Sequence, residues 1–290
     1  MSSHAHLLAG ELDARLSTIP NKSGATLGVS MYDYLSGMHW SFNGDRWFHP
    51  ASIIKVAVLV ALFHASDQGR VALNARLLVR NRFLSAFDRS AFRVDPSRDS
   101  DSDVYAARGR TMRLRELADH MIVRSSNLAT NLLVDLLGVD GIGASLRTLG
   151  IGGVDLCRGV EDDRAFDNGL NNRMTPNGAL ALLRCIVGSP LLSPEASTAM
   201  IDILLAQQYA GTIAPGLPDA IRSAARVAHK TGDISRVTHD AGIVFLPGRP
   251  PYIAVVFVEN DADPKDRTEI AISASAAVYA CIAEAGAGRQ

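Results

Sequence analysis

The chain has 290 residues, of which 47% are hydrophobic and 20% charged, and its formal net charge is -1. That length is sufficient for one large domain or two closely associated ones with an ample hydrophobic core. The balanced charge excludes the strongly basic composition of nucleic-acid and anionic-membrane binders, so we expect no nucleic acid and no membrane as partners.

Cysteine usage and the N-terminal segment bear on the cellular compartment. The cysteines are far apart and lack metal-ligand spacing, which predicts reduced core thiols rather than disulfides (Cys157, Cys185 and Cys281). The first residues lack the basic start, apolar stretch and cleavage site of a secretory signal. The sequence as written therefore predicts a cytoplasmic protein, or a periplasmic or secreted one if a leader has been removed. We expect a monomer or a weak dimer.

Hydrophobic periodicity and turn residues predict the secondary structure in chain order. A surface helix over 7–19 precedes two short strands over 25–31 and 38–42. The central part is predicted to be helical, with helices over 53–63, 114–123, 128–137, 141–149, 176–187 and 194–206. Three strands and a final helix close the chain, over 227–231, 241–246, 252–258 and 269–285. Irregular surface segments are predicted over 81–103 and 150–175.

Strand segments at both ends of the chain, separated by helices, predict one sheet assembled from both termini. The predicted fold class is α/β (α+β), with an antiparallel sheet flanked by helices and an additional all-helical lobe. We expect the sheet domain to comprise residues 1–45 and 210–290 and the all-α lobe residues 46–209. The active site is expected in the groove between them, where pockets tend to form.

The sequence HPASIIK, residues 49–55, opens an apolar helical run. Ser52 and Lys55 are three residues apart and therefore share one helix face. A lysine in an apolar pocket can lose its proton and activate a serine hydroxyl. The alternative is a helix cap with a solvated lysine, because Ser-x-x-Lys is a weak pattern. Only four lysines occur in this arginine-rich chain, and placing one in an apolar helix favours the catalytic interpretation.

Two further polar clusters follow. Ser125-Ser126-Asn127 lies between two predicted helices and could project into a cleft, although alone it is more typical of a helix N-cap. Lys230-Thr231-Gly232 ends a predicted strand. There the lysine can supply positive potential, the threonine can bind a carboxylate, and the glycine allows close backbone approach.

The order Ser-x-x-Lys, Ser-x-Asn, Lys-Thr-Gly is the signature of the penicillin-recognising serine enzymes. Over nearly its whole length the chain resembles class A β-lactamases and related serine hydrolases. Residues 111–127, TMRLRELADHMIVRSSN, are similar to the class A helix that carries the second motif. The resemblance implies a β-lactamase/transpeptidase-like fold.

The resemblance also implies a role for each matching residue. Ser52 would be the acylated nucleophile, Lys55 its proton acceptor or relay, and Ser125 the proton donor to the leaving nitrogen. Asn127 would hold the substrate amide. Substrate carboxylate binding is implied for Lys230 and Thr231, next to Gly232, and the oxyanion would be bound by the backbone N–H groups of Ser52 and Asp233.

The chain departs from the class A pattern in the loop after the second motif. Class A enzymes place there a glutamate that activates the deacylating water, with an asparagine four residues later. Glu161 aligns close to that glutamate, but the surrounding Glu-x-x-Leu-Asn pattern is absent. Asp162 and Asp163 are further candidates for the general base. Each of the three could instead be a loop acid paired with Arg158 or Arg164.

Two more departures concern polar residues near the motifs. The middle aspartate of the family's second motif is Ser126 here. An arginine that many class A enzymes carry on the strand after Lys-Thr-Gly aligns near Asp240, and Arg236 is a candidate to replace it.

The leading functional prediction is a serine hydrolase that forms an acyl-enzyme on Ser52, with β-lactamase-type hydrolysis of a cyclic amide. No cofactor and no metal are implied, and the expected partner is a small β-lactam, ester or short peptide. One alternative is a related esterase or D-amino-acid peptidase or transacylase with the same machinery. Another is a penicillin-binding protein that is acylated but does not turn over.

Overall fold

The fold was obtained as a computed structural model, which describes residues 3–261 and 263–287. The chain divides into two compact units. The first comprises Met1–Ile53, Met174–Arg184 and Ala210–Gln290, and the second comprises Ile54–Arg173 and Cys185–Tyr209. The sequence placed the boundaries at 45/46 and 209/210, whereas residues 46–53 and 174–184 also belong to the first unit here.

The α-helices are α1 (Ser3–Ser23), α2 (Ile54–Asp67), α3 (Ser102–Ala106), α4 (Leu114–Val123), α5 (Asn127–Leu137), α6 (Val139–Thr148), α7 (Asp163–Asp167), α8 (Pro176–Gly188), α9 (Pro194–Leu205), α10 (Asp219–Arg222) and α11 (Pro264–Ala287). The strands are β1 (Thr26–Asp33), β2 (His39–Phe42), β3 (Arg76–Leu78), β4 (Phe83–Leu84), β5 (Ala91–Phe92), β6 (Thr111–Arg113), β7 (Val154–Asp155), β8 (Arg173–Met174), β9 (Arg226–Ile234), β10 (Val237–Phe245) and β11 (Tyr252–Glu259). Short 3-10 turns cover Ala51–Ile53, Pro96–Arg98 and Ala214–Gly216.

Within the described residues, the first unit contains a five-stranded sheet in the order β2-β1-β11-β10-β9. Every pairing is antiparallel, and β1 from one end of the chain pairs with β11 from the other, with Val29 opposite Val256. On β9 and β10, Thr231 lies opposite Asp240, so these two side chains emerge on the same face of the sheet. The sheet assembled from both termini is therefore as predicted.

Helices α1 and α11 bury the apolar face of this sheet. Buried residues of α11 recur every three or four positions, at Ala271, Ala274, Val278 and Ile282, and they share one core with apolar residues of β1 and β11. That spacing is typical of a helix with one buried stripe. By length and composition alone, Pro264–Ala285 would also be apolar enough to cross a membrane. Of that apolar stretch, 39% is buried in the structure.

Helix α2 is the centre of the second unit. Its residues are buried on all sides from Ile54 to Ala65, as expected for a helix that is apolar around its whole circumference. It packs against α4, α5, α6 and α9. Small antiparallel strand pairs, β3 with β6 and β4 with β5, accompany the helices. Strands of two or three residues are too short to produce a recognisable alternation in the sequence, which is why 81–103 was predicted to be irregular.

Candidate active site

The predicted nucleophile lies in a strained turn of the first unit. Ser52 is half-buried in the 3-10 turn that leads into α2, where the carbonyl of Pro50 accepts a hydrogen bond from Ile53 N at 3.0 Å. Ala51, directly before Ser52, has φ of +45°, a region that costs a non-glycine residue free energy and is found most often at functional sites. Lys55 follows one turn later along the same helical segment, so the serine-lysine spacing predicted from the sequence is retained.

Strand β9 packs directly against the Ser52 turn. A Cβ atom at Gly232 would lie 3.0 Å from Ile53 Cγ1, 3.1 Å from the carbonyl oxygen of Pro50 and 3.2 Å from Ala51 Cβ. Any larger residue would require these neighbours to shift, so glycine favours this close approach. Lys230, two residues earlier, is fully buried, and its Nζ donates to the carbonyl oxygen of Thr231 at 2.9 Å. The structure thus places the Lys-Thr-Gly strand beside the turn that carries Ser52.

The buried Lys55 is the centre of a hydrogen-bonded cluster in the second unit. Its Nζ donates to the carbonyl oxygen of Ser125 at 2.6 Å, to Ser125 Oγ at 3.0 Å and to Asn127 Oδ1 at 2.8 Å. Burial lowers the pKa of Lys55 to about 7, although the negative charges of Asp99 and Glu161 oppose that shift. A large fraction of this lysine is therefore neutral at physiological pH and able to accept a proton.

The turn that carries Ser125 connects α4 to α5 in a strained conformation. Ser125 has φ of +57°, and Ser126 is the N-cap of α5, with its hydroxyl accepting from Ala129 N at 3.2 Å. The N-cap interpretation of this motif is therefore correct for Ser126. The N-cap role of Ser126 is compatible with a chemical role of its neighbours, because Ser125 and Asn127 contact Lys55.

Sequence reasoning missed one carboxylate at this turn. Asp99 Oδ2 accepts hydrogen bonds from Leu128 N at 2.8 Å and from Ser126 Oγ at 3.3 Å. It places a negative charge at the N-terminal end of α5, next to the motif position where the family has an aspartate and this chain has Ser126. Asp99 lies in the irregular segment 81–103, and no local pattern distinguishes it from the other aspartates there.

Glu161 is the loop acid that joins the Lys55 cluster. Its Oε1 accepts from Asn127 Nδ2 at 2.6 Å and its Oε2 from Asp95 N at 3.1 Å. The side chain is only 7% exposed, with Arg98 Nε at 3.8 Å. Burial raises the pKa of Glu161 in spite of these hydrogen bonds and that cation. Asn127 consequently connects a lysine with a lowered pKa to a carboxyl group with a raised pKa.

The other acids of the loop have different surroundings. Asp162 is fully buried as the N-cap of α7, where its two oxygens accept from the backbone N–H groups of Ala165 at 3.1 Å and Ala86 at 2.8 Å. Asp163 is exposed and pairs with Arg98 at 2.7 Å. This geometry favours Glu161 over both aspartates as a general base.

The suggested partners of these acids were wrong. Arg98 contacts Asp163 and Glu161, whereas Arg164 pairs with Asp88 at 2.5 Å. Arg158 is not within 4.0 Å of any carboxylate among the residues that the structure describes. These pairings depend on how the 81–103 segment packs against the loop, which the sequence does not reveal.

On the β9–β10 side, the position that aligns with the family's arginine holds a buried carboxylate. Asp240 accepts from Thr212 N at 2.7 Å and Ile213 N at 3.0 Å, and its Oδ1 lies 2.9 Å from His229 Nδ1. Arg236 lies exposed near the β9–β10 turn, where it pairs with Asp261 at 2.7 Å. Its proposed replacement of the family's arginine stays a prediction.

The described part of the chain contains no group of three or more His, Cys, Asp or Glu side chains that could hold a metal ion. No disulfide bond links the cysteines in that described part, where Cys185 and Cys281 are buried and Cys157 is half-buried.

Comparison with known proteins places this arrangement in a family. A model of the "Beta-lactamase enzyme family" matches residues 11–282. A beta-lactamase of Rhodobacter capsulatus is 26% identical over 277 residues, which cover 94% of this chain and 89% of the relative.

Solved structures show the same similarity to beta-lactamases and a penicillin-binding protein. The beta-lactamase of Sphaerobacter thermophilus is 27% identical with a TM-score of 0.77, covering 94% of this chain and 97% of that one. A mutant of PBP-A, solved as an acyl-enzyme complex with penicillin G, is 28% identical with a TM-score of 0.78, covering 96% and 97%. The predicted fold class and the resemblance seen in the motifs are confirmed. Because the matched region runs from residue 11 to residue 282 and includes Ser52, Lys55, Ser125 and Lys230, the chain belongs to the beta-lactamase enzyme family.

Proposed function

We propose that this chain is a serine β-lactamase that opens the cyclic amide through an acyl-enzyme on Ser52. The observation that carries the proposal is the buried Lys55, which has a pKa of about 7, contacts Ser125 and Asn127, and follows Ser52 by one helical turn. A lysine of this kind can act as a base at neutral pH, which a solvated lysine cannot.

In the acylation step, neutral Lys55 accepts the hydroxyl proton of Ser52 while Ser52 Oγ bonds to the amide carbonyl carbon. The C–N bond then breaks, and the amide nitrogen receives its proton from Ser125, which recovers one from Lys55 through their 3.0 Å hydrogen bond. The backbone N–H groups of Ser52 and Asp233 stabilise the oxyanion, as the family resemblance implies.

Substrate binding is assigned to β9. Lys230 supplies a buried positive charge beside the Ser52 turn, and Thr231 is half-exposed on the strand that Gly232 holds against that turn. A substrate carboxylate would bind to these two residues. Asn127 would hold the substrate's amide side chain, as in the family.

Deacylation is assigned to Glu161. In its ionised form this carboxylate takes a proton from water, whose oxygen attacks the ester carbonyl carbon. The bond from that carbon to Ser52 Oγ then breaks, and the proton held by Glu161 passes to Ser52 Oγ, which restores the enzyme. The support is its low exposure and its hydrogen bond with Asn127, which in turn contacts Lys55.

One observation favours a second candidate, a penicillin-binding protein that is acylated without turnover. The residue four positions after Glu161, where class A enzymes have an asparagine, is Ala165, which is fully buried and offers no side-chain hydrogen bond to water. Acylation by Ser52 would then proceed normally, and the ester would persist.

The test is intact mass spectrometry over time after mixing with a chromogenic cephalosporin, while hydrolysis is followed by absorbance. A β-lactamase shows a transient adduct with steady turnover, and Ser52→Ala abolishes both. Glu161→Gln should then retain the adduct by slowing deacylation about 10²- to 10⁴-fold. Asp163→Asn is the matched control, since that exposed acid is paired with Arg98.

A stable stoichiometric adduct on the unaltered chain would instead establish the acyl-trapping protein. Absence of any adduct on the folded chain would reject both β-lactam functions, leaving an esterase or peptidase with the same nucleophile.

A further inference from the structure

A cavity of about 230 Å³ lies within the second unit, apart from the residues assigned to catalysis. It is enclosed by the β4–β5 hairpin, α5, the start of α6 and residues 158–159. Much of its lining is apolar, from Phe83, Leu84, Phe92, Val134 and Val139. Of these, Leu84 is exposed at 40%, so the lining reaches the surface. The cavity therefore offers an apolar contact surface that an outside molecule can reach.

Arg158 gives this apolar cavity a buried positive charge. The residue is only 7% exposed, and its Nη1 donates to the carbonyl oxygen of Gly159 at 3.0 Å. Its Nε is buried without a hydrogen-bond partner. Within residues 3–261 and 263–287, no carboxylate lies within 4.0 Å of its guanidinium. A buried cation that lacks a paired anion is costly, and burial lowers the pKa of Arg158 accordingly.

A second arginine lines the same cavity. Arg89 is exposed at the tip of the β4–β5 hairpin, and the described residues place no carboxylate within 4.0 Å of it either. The one acidic lining residue, Asp135, is paired with Arg80 at 2.5 Å. By contrast, Arg98 and Arg164 in the same region each pair with an aspartate. Asp162 and Asp163 act on Arg158 only from beyond 4.0 Å, and its guanidinium lies over the Phe166 ring, 5.3 Å from the centroid. The cavity thus combines two guanidinium groups that have no carboxylate within 4.0 Å among the described residues with a partly apolar wall.

We propose that this cavity binds a small organic carboxylate with an apolar body. The carboxylate is held by Arg158 and Arg89, since guanidinium and carboxylate form paired, charge-assisted hydrogen bonds. The apolar body packs against Phe83, Leu84 and Phe92. An anion of this class supplies the acceptor that Arg158 Nε lacks, and its apolar part contacts the aromatic and aliphatic side chains of the lining.

The site lies beside the loop that carries Glu161. Asn131, another lining residue, accepts from Val160 N through Oδ1 and donates to the carbonyl oxygen of Val160 through Nδ2, both at 2.8 Å. Val160 directly precedes Glu161. An occupant of the cavity therefore contacts Asn131, whose side chain holds the backbone next to the proposed base Glu161. The carboxylate of the occupant itself is bound by other residues, the two arginines.

The test is isothermal titration of the whole chain with benzoate, with benzamide as the uncharged isostere and inorganic phosphate as the anion without an apolar body. We expect saturable benzoate binding with a Kd of about 1 mM or tighter, and at least about tenfold weaker binding of benzamide and phosphate. Arg89→Gln and Arg158→Gln should each weaken benzoate at least about threefold, and Arg93→Gln, an exposed arginine that does not line the cavity, should not.

Arg89→Gln keeps the test decisive if the buried Arg158 variant does not fold, because Arg89 is exposed. Unchanged benzoate affinity in the Arg89→Gln chain would overturn the proposal, since it would assign binding to another site such as Lys230 and Thr231. Equal affinities for phosphate and benzoate would show that the apolar body of the ligand does not contribute to binding, which contradicts the proposal. Absence of saturable benzoate binding would mean that the cavity holds only water.

Discussion

The carboxylate of Asp99 accepts a hydrogen bond from the backbone N–H of Leu128 at 2.8 Å. Through this contact, a residue from an irregular loop places its charge at the turn that carries Ser125 and Asn127. The same charge acts on Lys55, whose pKa it raises against the effect of burial. Asp99 is therefore expected to influence acylation without contacting substrate.

Asp99→Asn retains a hydrogen-bond acceptor at Leu128 but removes the negative charge, so the pKa of Lys55 should fall further. Because Lys55 acts as a base only when it is neutral, kcat/KM falls as pH drops through its pKa, near 7 in the unaltered chain. The acid limb of the pH profile of kcat/KM should therefore move to lower pH in Asp99→Asn. Asp95→Asn, in the same loop, should leave that limb in place.

Asp99→Ala removes the acceptor as well, and should lower the free energy of unfolding by about 1 kcal/mol, as loss of a helix cap does. An acid limb that is the same in the unaltered chain and in Asp99→Asn would show that Asp99 acts only as a structural cap.

Lys55→Arg separates charge from basicity at the centre of the cluster. Arginine keeps the positive charge but does not deprotonate at physiological pH, so acylation of Ser52 should slow by about 10²- to 10⁴-fold, the usual contribution of a general base. The acylation rate constant can be measured from intact mass at several cephalosporin concentrations. Near-normal acylation of Lys55→Arg would assign the base role to another group. Lys265→Arg, at the exposed start of α11, is a control for the lysine-to-arginine change.

Gly232→Ala tests whether β9 holds the Ser52 turn. The added methyl would lie 3.0 to 3.2 Å from Ile53, Pro50 and Ala51, and two of these atoms belong to the constrained turn rather than to a flexible chain end. We expect destabilisation of about 1–3 kcal/mol by denaturant unfolding, as for other overpacked sites, together with slower acylation.

Gly141→Ala is the matched control, because a Cβ there contacts nothing within 4 Å and the residue lies in α6. That change should be neutral or stabilising, since alanine is the better helix former. Equal stability and acylation in Gly232→Ala and the unaltered chain would contradict the close packing.

A hydrogen bond of His239 links β10 to His49, in the segment before Ser52. Its Nδ1 accepts from Val258 N at 3.2 Å, so Nε2 carries the proton donated to the carbonyl oxygen of His49 at 3.0 Å. Burial lowers the pKa of His239 to about 4. The unfolded chain therefore binds this proton more readily, and the stability that neutral His239 contributes is present above about pH 6.5 and is lost as pH falls toward 4.

His239→Gln keeps a donor for His49 but cannot titrate in this range, so its unfolding free energy should vary less between pH 6.5 and 4 than that of the unaltered chain. Denaturant unfolding at half-unit pH intervals measures this difference. Parallel stability curves for the two proteins would show that His239 is not the titrating group.

Several features of the site follow from local sequence alone. Ser52 and Lys55 are neighbours on one helical segment because a three-residue spacing fixes their relation whatever surrounds them. The apolar run after Ser52 makes burial of Lys55, and hence its lowered pKa, predictable from composition. The sheet formed by both termini and the strand that carries Lys-Thr-Gly are likewise predictable from the residue pattern, although β9 continues to Ile234 rather than ending at residue 231.

Tertiary packing decided the identity of the remaining charged groups. Three consecutive acids follow Val160 in the sequence, yet only Glu161 contacts Asn127, because its backbone has φ of +59° and the next residue is used as a helix cap. Asp99 approaches Leu128, and Arg158 is left without an acid, only because the 81–103 segment packs where it does. The sequence by itself determined the family, the fold class and the spacing of the proposed nucleophile and its lysine, since these depend on short-range spacing and on the order of motifs. Only the three-dimensional structure decided which distant carboxylates and cations meet, since that depends on contacts between residues far apart in the chain.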